Sequence, residues 1–157
     1  MSVHDEWLEK IKFYKSSLEE KFNKKVQLPP PTLQELQMEY LEIIPGQKML
    51  ARLPFQQRFT NPMGTYQGGF LGAAVDEVLG PLSYVTAGVP CMTLSLNMTF
   101  LKPFSANLKT VTIEGIVLQK TQSLIFMRAE IKNEAQELIA HCESHVMIMR
   151  EEQLKKG

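Results

Sequence analysis

The chain has little cysteine and no surplus of charge. Only Cys91 and Cys142 occur among 157 residues, too few to staple a small secreted scaffold. Two small buried thiols in a reducing compartment fit better than one disulfide. Neither cysteine has a sequence neighbour that marks it as a nucleophile. Basic and acidic side chains number 17 each, so no net field draws the chain to nucleic acid or an anionic membrane. No apolar run is long enough to span a bilayer. The opening Met1-Ser2-Val3-His4 has no basic or apolar leader segment, so a cytoplasmic location is expected. His141, Glu143 and His145 share one strand face, but four strand residues span about 13 Å. That is too far for one ion, and no metal is expected.

What is present is periodic. Trp7, Leu8, Ile11, Tyr14, Leu18 and Phe22 recur every three or four residues, which predicts an N-terminal helix over 5–24. Pro29, Pro30 and Pro31 end it as a stiff connector. Residues 1–31 thus form an appendage that packs on the main domain or on a partner subunit. Residues 38–44 and 48–53 read as a hairpin about Pro45-Gly46. A helix follows over 68–87, with a kink or break expected at Gly80-Pro81. Residues 92–101, 109–118, 123–132 and 138–150 alternate as strands, each with one face in a core. Short connections imply a meander, and 151–157 a frayed charged tail. The order is two strands, one long helix and four strands. It predicts an α+β domain over 32–150, with the helix across one face of an antiparallel sheet.

Chemistry concentrates in Asn61-Pro62-Met63-Gly64-Thr65-Tyr66-Gln67-Gly68-Gly69 and the helix after it. Gly68 opens that helix, where unpaired N–H groups and the helix dipole favour a developing negative oxygen. Asp76 is an acid among Ala73, Ala74, Val75, Val78 and Leu79, a setting for a buried or interfacial group. Glu77 points about 100° away and reads as a salt-bridge residue toward a partner. Eight helical residues separate Gly68 from Asp76 by roughly 12 Å. One carbonyl carbon cannot sit about 3 Å from both. If both act on one atom, they come from two chains.

On these residues the chain resembles the PaaI-like (phenylacetate-degradation type) hotdog-fold acyl-CoA thioesterases. Asn61, Gly64, Gly68, Gly69 and Asp76 fall at the family's spacing, and 93–103 resembles its strand ending in an aromatic residue and Lys-Pro. The resemblance covers roughly residues 35–150. It implies a hotdog fold, an antiparallel sheet wrapped around the central helix, in a homodimer that often pairs into tetramers. It implies hydrolysis of an acyl-CoA to free acid and CoA, with no cofactor beyond the coenzyme A of the substrate. Asp76 would be nucleophile or general base, and the Gly68 N–H of the other subunit would polarise the carbonyl. Asn61 would hold the attacking water or orient the loop. Gly69, Thr93, Glu77 and Lys102 would contact substrate, and Arg58 and Arg128 are further candidates for a CoA phosphate.

The departure is Gln67, where the family usually has His. An amide can orient a loop or hydrogen-bond a thioester, but it has no titratable proton near neutral pH. The alternative is therefore a non-catalytic acyl-CoA or lipid-binding hotdog protein. A hotdog dehydratase ranks below both, because the loop offers no His.

Overall fold

The structure is a computed structural model and describes residues 1–22 and 25–154. Its elements in chain order are α1 (Val3–Phe22), α2 (Pro31–Glu35), β1 (Glu39–Ile44), β2 (Lys48–Pro54), α3 (Gly68–Ala87), β3 (Cys91–Phe100), β4 (Thr110–Lys120), β5 (Leu124–Lys132), β6 (Leu138–Ile148) and α4 (Glu151–Leu154).

The six strands form one sheet in the order β1-β2-β4-β5-β6-β3, every neighbouring pair antiparallel, so only β4, β5 and β6 follow the expected meander, while β3 pairs with β6 and not with β4. The alternation read from the sequence is the one buried. Met49, Ala51, Leu53, Val111, Ile113, Ile125, Met127, Ala129, Ile131, Cys142 and Val146 all lie in the core. Against them α3 places Leu71, Ala74, Val75, Val78, Leu79 and Leu82. Gly115 on β4 sets the closeness of this contact. A Cβ there would lie 2.8 Å from a Leu79 methyl and 3.0 Å from a Val78 methyl, so a side chain at this position would force the packed side chains of α3 to shift.

The two ends of the chain and the Pro-rich connector differ from expectation, each for a local reason. The first helix begins at Val3 rather than residue 5, because Ser2 and Asp5 form a reciprocal cap. The Asp5 N–H donates to Ser2 Oγ at 3.1 Å and the Ser2 N–H to Asp5 Oδ2 at 3.0 Å. Its expected end at Lys24, and the side chains of Tyr14 and Phe22, lie outside the described residues. Pro31 does not extend the connector. It opens the short helix α2, where its fixed φ suits the first position and its missing N–H costs nothing. The C-terminal tail makes one helical turn over Glu151–Leu154, with the remainder outside the described residues.

The expected break at Gly80-Pro81 does not occur, and α3 is continuous. Pro81 has no N–H for the carbonyl four residues back, that of Glu77. The Tyr40 hydroxyl takes over, donating to the Glu77 carbonyl at 2.9 Å. Tyr40 is fully buried, so this bond satisfies two groups that would each cost about 1–3 kcal/mol unpaired. Tyr40 also joins the appendage to the domain. Its backbone N–H donates to His4 Nδ1 at 3.2 Å, and Trp7 packs edge-on against its ring at 6.1 Å. Of the two expected places for the N-terminal helix, α1 thus takes the one on its own domain, against β1.

Among the described residues no helix is long and apolar enough to cross a membrane. Both cysteines are free thiols, Cys142 buried and Cys91 partly so.

Candidate functional site

Asn61 shapes the loop before α3. Its Oδ1 accepts the N–H groups of Met63 at 2.9 Å and Thr65 at 3.2 Å, and its Nδ2 donates to Thr65 Oγ1 at 2.8 Å. Gly64 supplies the left-handed residue of the turn, at φ +74°. Of the two roles expected for Asn61, orienting the loop is therefore built into these bonds.

Gln67 holds its place through its backbone. Its N–H donates to the Phe59 carbonyl at 2.8 Å, and its own carbonyl accepts from Phe70 at 3.0 Å and Leu71 at 3.2 Å. The side chain is exposed and makes no capping bond. The loop thus keeps its shape without using the side chain at position 67.

Gly68 and Gly69 come next, and their N–H groups have no acceptor among the described residues. The ring of Phe100, from the end of β3, lies over Gly68. A Cβ on Gly68 would sit 2.9 Å from its Cζ. Asn61, Gly68, Leu71, Phe100 and Lys102 line a cleft of about 340 Å³ here. Lys102 is ion-paired with Glu137 at 2.8 Å, and Arg58 with Glu35 at 2.8 Å. Both pairs are exposed and worth little, so an anion can compete for either cation.

Asp76 is exposed on the single chain, which removes burial within the protomer from the two settings expected for it. Thr93 Oγ1 donates to Asp76 Oδ1 at 2.9 Å, holding the carboxylate beside β3. A β-irregularity between Thr93 and Ser95 matters for this geometry. Thr93 and Phe100 are seven residues apart and in a regular strand would face opposite sides. The extra residue reverses the alternation, so Thr93 meets Asp76 while Leu96 meets Gly72 and Phe100 meets Gly68. One strand thereby touches α3 at both candidate groups. Thr93 and Asp76 are legible in the sequence, whereas this role of Phe100 is not. An odd spacing between two strand residues that must share a face was the signal available.

Glu77 does not reach outward as expected but is half-buried beside Thr32 and Tyr40 of its own chain. Burial pushes its carboxyl up to about 7. The neighbouring Asp76 charge adds to the rise, and Thr32 opposes it. A carboxyl with a raised folded-state pKa binds its proton more tightly folded than unfolded, so its ionisation costs stability as pH rises from about 4.5 through about 7. Glu77→Gln removes that cost. Urea unfolding is expected to show the variant about 1–2 kcal/mol more stable than wild type at pH 8, after discounting for partial exposure, and level with it at pH 4.5. An equal difference at both pH values would contradict this assignment.

The loop, helix and strands described above are the part of the chain that known proteins share. The model of the thioesterase superfamily matches residues 63–140. Acyl-coenzyme A thioesterase 13 of Homo sapiens is 26% identical over 92 residues, covering 58% of this chain and 64% of that protein. The match thus spans somewhat less than two thirds of that relative's length. The Escherichia coli PaaI protein from the phenylacetic acid degradation operon superposes with a TM-score of 0.72 at 15% identity, over 78% of this chain and 86% of that one. A Streptococcus mutans UA159 protein solved bound to acetyl CoA superposes with a TM-score of 0.68 at 16% identity, over 79% of this chain and 93% of that one. At these identities the structures establish the fold, a six-stranded antiparallel sheet packed on one long helix. With the family match running from the loop through α3 to β6, this segment of the chain is a thioesterase-superfamily domain in a hotdog fold that the PaaI protein shares.

Proposed function

We propose that the protein hydrolyses acyl-CoA thioesters in a homodimer whose active sites each combine Asp76 of one subunit with the Gly68 N–H of the other. The observation that carries this reading is the unbroken α3. It keeps free first-turn donors and an exposed acid on one helix, separated by roughly 12 Å at 1.5 Å per residue. A second subunit closes that gap.

β3 supports pairing of two copies. It is a ten-residue edge strand with exposed Met92 and Leu94, and Phe70 and Phe100 are exposed nearby. Long apolar edges pair unless they are blocked. Two antiparallel β3 strands would join the sheets and bring each Asp76 toward the partner's loop.

In the reaction Asp76 takes a proton from water as the water oxygen attacks the thioester carbon. The Gly68 N–H, with the helix dipole behind it, stabilises the oxyanion. Collapse breaks the C–S bond, and Asp76 returns the proton to the departing CoA sulfur. Direct attack by Asp76, through an acyl anhydride that water then opens, uses the same placement. Thr93 keeps the carboxylate oriented. Lys102, at the cleft rim, would exchange Glu137 for a CoA phosphate.

Gln67 motivates the second reading, an acyl-CoA-binding protein without turnover. Because the backbone alone holds position 67, the loop does not need a histidine for its shape. The two readings separate in one assay. Free thiol released from a panel of aryl-, short- and long-chain acyl-CoAs supports hydrolysis. Calorimetric binding without thiol release across the panel would leave only the binding reading.

A further inference from the structure

An apolar cavity of about 270 Å³ lies where α1 and its connector cross the outer side of α3. Trp7, Ile11, Leu28, Gly80, Tyr84 and Cys91 contribute to its wall. Most of the wall's polar groups are already used. Tyr40 bonds the Glu77 carbonyl, and the Cys91 thiol donates to the Val89 carbonyl at 3.4 Å. The Trp7 indole N–H is buried without a partner among the described residues. The wall therefore suits a hydrocarbon with at most one acceptor.

Asp76 is not part of the wall, but two wall residues stand close to the candidate acid and its Thr93 partner along the chain. Gly80 is one helical turn beyond Asp76 on the same side of α3, a rise of about 6 Å. Cys91 is two residues before Thr93 on the same face of β3, ahead of the irregularity. Gly80 is itself informative. A glycine inside a helix costs about 1 kcal/mol against alanine. Among the described residues nothing lies within 4 Å of where its Cβ would be, so no described neighbour excludes a side chain there. The space above Gly80 is the cavity.

Resting on the thioesterase reading, we propose that this cavity holds the tail of the acyl group whose carbonyl lies at Asp76, and that it selects linear tails of medium length. At roughly 30 Å³ for a water-sized group, about 270 Å³ accommodates a chain on the order of nine carbons. The roof of the cavity is α1, which lies outside the segment matched by the superfamily at residues 63–140. The chain-length preference is thus set by this protein's own appendage.

Gly80→Ala and Gly80→Leu fill the cavity in two steps and favour helix. The ratio of kcat/KM for octanoyl-CoA to that for acetyl-CoA is expected to fall modestly in the first and more than tenfold in the second. An unchanged ratio in variants that melt like wild type overturns the proposal. A second readout needs no turnover, because Trp7 is the single tryptophan. In full-length Asp76→Asn protein, octanoyl-CoA should shift Trp7 emission saturably, and adding Gly80→Leu should abolish the shift. No shift, or one that survives Gly80→Leu, overturns the pocket. If wild type cleaves no thioester, the hydrolytic reading fails by itself, and the pocket stands or falls on the Trp7 titration.

Discussion

Asp76→Asn is expected to lower kcat for acyl-CoA hydrolysis by on the order of 10²–10⁴-fold, the range for loss of a positioned base. The substitution keeps the shape of the side chain, and the amide oxygen still accepts the Thr93 hydroxyl that now bonds Asp76 Oδ1 at 2.9 Å. Only the charge is lost. The oligomer and the fold should persist, since Asp76 is exposed on the protomer and packs in no core. Stability should rise slightly near neutral pH, because the Asp76 charge is one of the causes that raise the Glu77 carboxyl. Thiol release measured beside sedimentation and a melting curve checks all three statements. Normal turnover by the variant would remove Asp76 from the reaction.

The second large effect belongs to Gly68. Gly68→Pro is expected to cost on the order of 10²–10³ in kcat, the loss seen when one oxyanion donor is removed. The position is the first of α3, where proline fits. The preceding Gln67 is already extended, at φ −65° and ψ 131°, as a residue before proline prefers to be. The helix should therefore still start in place, with the N–H deleted. Gly68→Ala is the control. The atoms nearest its Cβ belong to the end of the half-exposed Phe100 ring, which can move aside. Alanine keeps the donor, so its loss should be under tenfold. Equal losses in the two variants would assign the effect to crowding by Phe100 and not to the N–H.

Local forces leave their mark in the sequence, and long-range ones do not. The strand faces were legible, because burial on one side of a sheet writes itself as alternation. Met49, Ala51 and Leu53 on β2, and Ile125, Met127, Ala129 and Ile131 on β5, show that alternation and are buried. The site was legible in part, because Asn61, Gly64 and Gly68 are demanded by turn and cap geometry within a few residues. What was not legible depends on partners far along the chain. The continuity of α3 through Pro81 rests on the Tyr40 hydroxyl, 37 positions before the Glu77 carbonyl it bonds. Glu77 turned inward because α2 and β1, unreadable as neighbours, supply Thr32 and Tyr40. The shared orientation of Thr93 and Phe100 needs an irregularity in β3 that local propensity does not announce.

The central claim is that one site takes Asp76 from one chain and Gly68 from another. It is tested most directly by pairing two inactive variants. Asp76→Asn and Gly68→Pro chains carrying different tags are co-expressed, and the mixed dimer is purified. In a two-fold dimer one of the two sites then has both an intact Asp76 and an intact Gly68, so roughly half of wild-type activity should return. A mixed dimer no more active than its two parents would place both groups in a single-chain site and contradict the account.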